Sequence, residues 1–310
     1  MTTYISNSSL SPSSEKKHNA FLNKWVELTP TKSVLYIILF PAHSLLLLTQ
    51  YLKQRDIDIP YNKSKAYSST NMHSYLSAVL ALFKHATQYV NDIPQSFVYY
   101  RIWIGIVNDN QKGIIERRNN NKPTKLQELR GGYKLTLHDI VNKRDENNLD
   151  IMHKLLLAMY TMIPPVRCDY YSMNIVKKNQ TPNTDNYIIL KDAEAELVIK
   201  EYKTSRKHGD IVHSKLPDEL YRIIINSLET VPRDYLFVNS RNKPFSRNDF
   251  SNWASKTLYK IFGVELTLTM IRHIYISHKE LHKMTLGERK ELGEKMGHTV
   301  EIQTGYEWKE

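Results

Sequence analysis

Three groups near the C-terminal end of the sequence are suited to work on phosphorus. They are an Arg-His pair at Arg272 and His273, a Gly-His pair at Gly297 and His298, and Tyr306 eight residues further on. A guanidinium and an imidazole stabilise an anionic transition state, and a phenol can attack a phosphodiester. Two earlier residues extend the set. Arg167 follows the Ile163-Pro164-Pro165 break, a rigid turn from which its side chain can be aimed, although it reads equally as half of an ion pair with Asp169. Lys203 stands where a β-like segment enters a turn, placed to donate a proton into a cleft or simply to protect a sheet edge.

These residues need elements that hold them. Thr267 starts a helix whose apolar residues Leu268, Ile271, Ile274 and Tyr275 recur at helical spacing, which assigns Tyr275 to the core. One residue along that helix, His273 is expected to point about 100° away from Arg272. Thr285 and Glu288 form a capping-box pattern for a helix from Leu286 to Met296. Upstream, Thr136 and Asp139 are helix starts, and Leu149 to Met162 reads as a long apolar helix ending at the two prolines. Short β-like segments follow at Met173–Val176, Tyr187–Leu190, Leu197–Tyr202 and Ile211–His213, with Gly209-Asp210 closing a hairpin. Helices are expected at Pro217–Leu228 and Ser246–Phe262, and a short strand at Tyr235–Val238.

A chain of 310 residues is long enough for two domains, and its 41% hydrophobic content fits a globular protein. Lys plus Arg outnumber Asp plus Glu by 43 to 32, a net charge of +11 that favours polyanionic partners, nucleic acid first. The single cysteine, Cys168, excludes an internal disulfide and a multi-cysteine zinc site. Residues 1–20 are Ser-rich and polar and read as a flexible tail, not a signal peptide. Ser33–Thr49 is the most apolar stretch, too short and too interrupted by Pro41 and His43 for a membrane span. It reads as a buried helix pair or a protein contact. Met72, Tyr75, Leu76, Val79, Leu80 and Phe83 mark an apolar helix face, and an apolar-aromatic stretch runs from Phe97 to Val107. Between Lys112 and Lys134 seven basic residues (Lys112, Arg117, Arg118, Lys122, Lys125, Arg130 and Lys134) face two acidic ones, Glu116 and Glu128. That run is either a solvated loop or a basic arm lying along phosphates.

Taken in order, Arg167, Lys203, Arg272, Gly297-His298 and Tyr306 resemble the Arg…Lys…His-x-x-Arg-His…Gly-His…Tyr pattern of the tyrosine recombinases, the phage-integrase family. The resemblance covers roughly residues 135–310 and, more weakly, 65–130. It implies a mainly α fold with a small β-sheet or hairpin: a helical core-binding domain plus an α+β catalytic domain. The expected division is a tail at 1–20, a helical segment of open role at 21–64, the core-binding domain with its basic linker at 65–130, and the catalytic domain at 131–310. The implied activity is DNA cleavage and rejoining through a 3′-phosphotyrosine on Tyr306, with Arg167, Arg272 and His298 on the phosphate and Lys203 protonating the leaving 5′-hydroxyl. The implied partners are double-stranded DNA, contacted by Lys112, Arg117, Arg118, Lys122, Lys125 and Arg130, and further copies of the chain, two on one site and four in synapsis. No cofactor, metal or membrane is expected. The setting is intracellular, and the AT-rich bias in Lys, Asn, Ile and Tyr suits a virus or other mobile element.

Two departures stand out. The family's usual histidine three residues before the second arginine is Thr269 here, which can hydrogen-bond a phosphate oxygen but is no general base near neutral pH. Only four residues follow Tyr306, so protomers are expected to touch through some surface other than a C-terminal extension. Competing readings are a type IB topoisomerase, which shares these groups, and a non-catalytic DNA-binding relative. A metal site at His278 and His282 is a third, although Glu280 is misplaced for HExxH and no third ligand is evident.

Overall fold

In the computed structural model, residues 2–6, 9–58, 68–120, 122–123, 125–178 and 180–308 are described. The chain divides into two compact units after Asn120, not after residues 64 and 130. In the first unit the helices are α1 (Pro12–Leu28), α2 (Val34–Leu39), α3 (Pro41–Asp58), α4 (Ser69–His85) and α5 (Ser96–Asn119). Leu22, Trp25, Ile37, Ile38, Leu48, Leu52, Leu76, Val79, Leu82 and Trp103 share one core, so the described part of 21–64, residues 21–58, belongs to this unit and is not a separate segment. The apolar stretch at 33–49 is indeed a helix pair, broken at Phe40 with Pro41 opening α3, where its missing N–H costs nothing. No described helix is long and apolar enough to cross a membrane.

The flexible tail at 1–20 is corrected. α1 already begins at Pro12, capped by Ser11, and Tyr4 and Ile5 are buried. The buried Asn19 side chain does this: its Oδ1 accepts from the amides of Tyr4 (2.7 Å) and Ile5 (2.9 Å), and its Nδ2 donates to the Ile5 carbonyl at 2.7 Å. One amide side chain thereby acts as a strand partner for backbone that would otherwise be buried unpaired. The basic run is also not one linker. Lys112 to Asn119 form the last turns of α5, and Lys125–Arg130 form α6 of the second unit.

The second unit continues with α7 (Leu137–Asp145), which carries the Thr136/Asp139 capping box, and α8 (Ile151–Thr161), capped by Asp150. Four strands follow: β1 (Asn174–Lys177), β2 (Asn186–Leu190), β3 (Ala195–Ile199) and β4 (Ile211–His213), in spatial order 1-2-3-4. β1 runs parallel to β2, whereas β2–β3 and β3–β4 are antiparallel. The remaining helices are α9 (Ser205–His208), α10 (Asp218–Thr230), α11 (Arg247–Phe262), α12 (Leu268–His278), α13 (Leu286–Met296) and α14 (Val300–Thr304). The strand expected at Tyr235–Val238 reduces to isolated bridges, Asn174 with Tyr235 and Val238 with Pro244. α8 sits at the centre: Leu155 through Tyr160 are all fully buried, so every face of the helix meets protein.

Candidate active site

α8 ends just before the two prolines, and the turn that follows fixes Arg167 from both sides. The buried Tyr160 hydroxyl donates to the Arg167 carbonyl. The Pro165 carbonyl accepts from Nη1 of Arg272 at 2.8 Å. Arg167 is not paired with Asp169. That carboxylate, 3% exposed, is taken by Arg247 of α11, whose guanidinium also lies over the Tyr171 ring. The Arg167 guanidinium instead reaches the Tyr306 hydroxyl, a long contact of 3.4 Å.

Arg272 is fully buried on α12. Its Nη atoms reach the Met296 carbonyl at 3.3–3.4 Å, at the C-terminal end of α13, where the helix dipole favours a cation. Its Nε has no hydrogen-bond partner among the described residues, and its guanidinium sits 5.1 Å from the centre of the Tyr306 ring. His298 closes the other side, its ring stacked on that of Tyr306 at 5.4 Å and 18°.

The position of His298 follows from the way α13 stops. The His298 amide bonds to the Gly293 carbonyl at 2.9 Å and the Gly297 amide to that of Glu294 at 3.1 Å, the two bonds of a Schellman motif. Gly297 is left-handed at φ +68°, and a β-carbon there would lie 2.7 Å from the Tyr202 ring. The turn after β3 is thus pressed onto the Gly-His pair: Tyr202 packs against Gly297, and Thr204 donates to the Gly297 carbonyl at 2.8 Å. Lys203 lies between them, exposed and without a side-chain partner among the described residues. The connection from β3 to β4 holds the short helix α9, so Lys203 is at the entrance of a longer turn and not at a hairpin tip.

The electrostatics of the cluster concern one phenol and two imidazoles. Burial pushes the Tyr306 hydroxyl up, but the charges of Arg272 and Arg167 outweigh it, and its pKa falls below the usual tyrosine value. His298 is pushed down to about 3 by burial first and then by Arg272, so it is neutral at ordinary pH. Its Nδ1 faces the Thr299 carbonyl at 3.3 Å, which places the ring proton there and leaves Nε2 as a buried lone pair with no partner among the described residues. His273 is pushed down to about 4, again chiefly by burial.

A stability effect follows from these histidines together with His213 on β4, which burial also lowers to about 4. Above the ordinary histidine value of 6.5 all three are neutral in both folded and unfolded chains and contribute nothing. As pH falls below it, the unfolded chain takes up protons that the native state refuses. Folding then weakens about tenfold per pH unit for each histidine, until the folded pKa is passed. Denaturant unfolding between about pH 7 and pH 5 is expected to show this loss, and His213→Leu to remove one histidine's share. A stability that stays level over that range would contradict the neutral assignments.

The cluster thus joins Arg167, Arg272, His298 and Tyr306, with the turn of Lys203 against it. Thr269 is exposed one turn before Arg272 and makes no side-chain hydrogen bond among the described residues. Two participants were missed by sequence reasoning. His273, expected to point away, faces the Tyr306 segment from the other side, its Nδ1 2.8 Å from the Tyr306 carbonyl. Trp308 stacks on His273 with ring centres 4.6 Å apart and planes 3° from parallel. Adjacency to Arg272 was the only signal for His273, and nothing in the sequence pointed to Trp308. His278 ends α12, whereas His282 lies in a separate turn beyond Glu280, itself left-handed at φ 47°. The two therefore do not share a helix face, and the described residues hold no group of three or more metal-ligating side chains.

Of the basic residues, Lys112 and Lys122 are exposed, Lys112 bonding to Asp109 at 2.7 Å. Arg130 is half-buried, its Nε 3.4 Å from the Glu265 carboxylate. The side chains of Arg117, Arg118 and Lys125 lie outside the described residues.

The sequence matches no family model and no curated protein. Among solved structures, the Tn1549 transposon integrase in complex with circular intermediate DNA has a TM-score of 0.54 at 13% identity, covering 97% of this chain and 91% of that one. The same integrase with transposon right end DNA gives 0.54 at 14% identity, with 97% and 90% covered. The XerA recombinase gives 0.41 at 12% identity, with 97% and 89% covered. The structural neighbours are tyrosine recombinases, and a mostly helical fold with a small four-stranded mixed sheet is what this chain shares with them.

Proposed function

We propose that this protein is a site-specific DNA recombinase or integrase that cuts and rejoins strands through a 3′-phosphotyrosine on Tyr306. The observation that carries the reading is the convergence of two guanidiniums and an unpaired imidazole nitrogen on one phenol. Such buried, incompletely satisfied donors and acceptors call for a ligand, and a phosphodiester supplies what they lack. Arg167 and Arg272 hold the non-bridging oxygens as negative charge builds on them. The Tyr306 oxygen attacks phosphorus, the bond to the 5′-oxygen breaks, and Lys203 protonates the departing hydroxyl. The phenol's own proton passes to Nε2 of His298, which then donates to the phosphate. The phosphotyrosine conserves the energy of the broken bond, so resealing requires neither ATP nor metal. Thr269 replaces a proton-handling histidine with a hydrogen-bond donor, and the His298 lone pair takes over part of that work. Strand exchange brings two chains to one site and four to the synapse.

The experiment is covalent capture on nicked duplexes whose central sequence is randomised, in buffer with EDTA. A denaturant-resistant protein–DNA adduct is expected, its trapped DNA converging on a preferred sequence. Cleavage that needs added metal and leaves no adduct would overturn the proposal.

The basic residues belong to the same reading as phosphate contacts: Lys112, Arg117, Arg118, Lys122 and Lys125, with Arg130 diverted in part to Glu265. Neutralising Arg117, Arg118 and Lys122 together is expected to weaken binding to all DNA sequences alike. The slope of log affinity against log salt should flatten by about 0.9 per lost contact. An unchanged slope removes these residues from the interface.

A further inference from the structure

α12 carries two rows of side chains to the segment that bears Tyr306. Arg272 covers the phenol ring, as described. One position on, and again one turn later, His273 and Ser277 share a second row. Each holds backbone rather than side chain. The Tyr306 carbonyl lies 2.8 Å from His273 Nδ1, and a carbonyl can only accept, so the neutral ring must carry its proton on Nδ1. Two residues further, the Trp308 amide donates to Ser277 Oγ at 2.8 Å. The Trp308 indole then lies flat on the His273 ring, with Tyr133 meeting its edge at 6.4 Å and 88°. Two tethers on one helix turn therefore hold the Tyr306 carbonyl and the backbone just after it, and the Tyr306 ring is wedged between His273 at 4.6 Å and His298 at 5.4 Å.

We infer that His273, Ser277 and Trp308 are positioning residues for Tyr306, a clasp that presents the phenol to the arginines of its own chain. The inference rests on the assignment of Tyr306 as nucleophile made above. None of the three needs to touch DNA to act: they restrict the backbone from the Tyr306 carbonyl to the Trp308 amide, immediately after the phenol. A misplacement of about 1 Å in a reacting group costs on the order of 10²-fold in rate. Trp308 is half-buried and packs against the core of the second unit as well as on His273 and Tyr133.

The test has a DNA-free and a DNA-bound arm. In the DNA-free protein, hydrogen exchange should find the Trp308 amide protected, and Ser277→Ala should abolish that protection. Single-turnover adduct formation, at saturating concentrations of a nicked duplex selected from the randomised pool, forms the second arm. Trp308→Ala and His273→Leu are expected to lower that rate by about 10- to 100-fold with DNA affinity unchanged. Trp308→Phe, which can still stack, and His273→Asn, whose side-chain amide can replace Nδ1–H, should each recover most of the rate. A wild-type rate in Trp308→Ala, an unprotected Trp308 amide, or Trp308→Phe as slow as Trp308→Ala would each overturn the clasp. A wild type that protects this amide yet forms no adduct overturns the nucleophile assignment instead, leaving the contact without a catalytic role.

Discussion

Arg272→Ala is expected to slow covalent adduct formation by at least about two to three orders of magnitude, the usual cost of removing one transition-state donor in a water-poor site. The effect should exceed that of an exposed arginine because this guanidinium is fully buried, where its charge is poorly screened. The substitution also has a structural consequence. The carbonyls of Pro165 and Met296 lose their donor, at about 1–3 kcal/mol for each group left unsatisfied. Loss of stability and loss of rate must therefore be read apart. Arg272→Lys keeps the charge but cannot fork between the two carbonyls and the phosphate, so it should restore stability more than activity. Thermal unfolding alongside single-turnover cleavage distinguishes the two. Wild-type cleavage in a folded Arg272→Ala protein would reduce Arg272 to a buried strut for the Pro165 turn and α13.

Tyr306→Phe is expected to abolish the adduct altogether while leaving the fold intact. The substitution removes one oxygen and its long contact to Arg167, but the ring remains beneath Arg272 and against His298. DNA affinity should stay within a few-fold, because the phosphate contacts come from other residues. Among the described tyrosines this is the one on which both arginines converge; Tyr160 and Tyr170 are sealed in the core, where burial raises their pKa. An adduct that survives Tyr306→Phe, on a mixture of other tyrosines, would contradict the assignment.

What was legible in the sequence were features whose signals are local. The Pro164-Pro165 stop, the Thr285/Glu288 capping box and the glycine at the end of α13 each fix a backbone turn by residue type alone, and Arg167 and His298 hang from such turns. The candidate residues could therefore be listed in order, and the fold brings Arg167, Arg272, His298 and Tyr306 together. Contacts closed over long separations were not legible. His273 was expected to point away because a helix considered alone has an inside and an outside. Its partner, the Tyr306 carbonyl, arrives 33 residues later on a segment without periodicity. The same holds for Asn19, which pairs with Tyr4 and Ile5 and turns a polar, Ser-rich start into packed structure. α5 was missed beyond Val107 because its last turns are polar, and a helix without an apolar stripe looks like a loop. The ion pair of Asp169 with Arg247, not with Arg167, is again a choice between partners near and far in sequence.

The most direct test of the account is to find where the DNA is attached. Wild-type protein trapped on a nicked duplex would be digested with nuclease and protease, and the nucleotide-bearing peptide sequenced by mass spectrometry. The account predicts a single modified residue, Tyr306, carrying a 3′-linked nucleotide, with the free 5′-hydroxyl on the released strand. Attachment at any other residue, linkage through a 5′-phosphate, or cleavage with no modified peptide would contradict it.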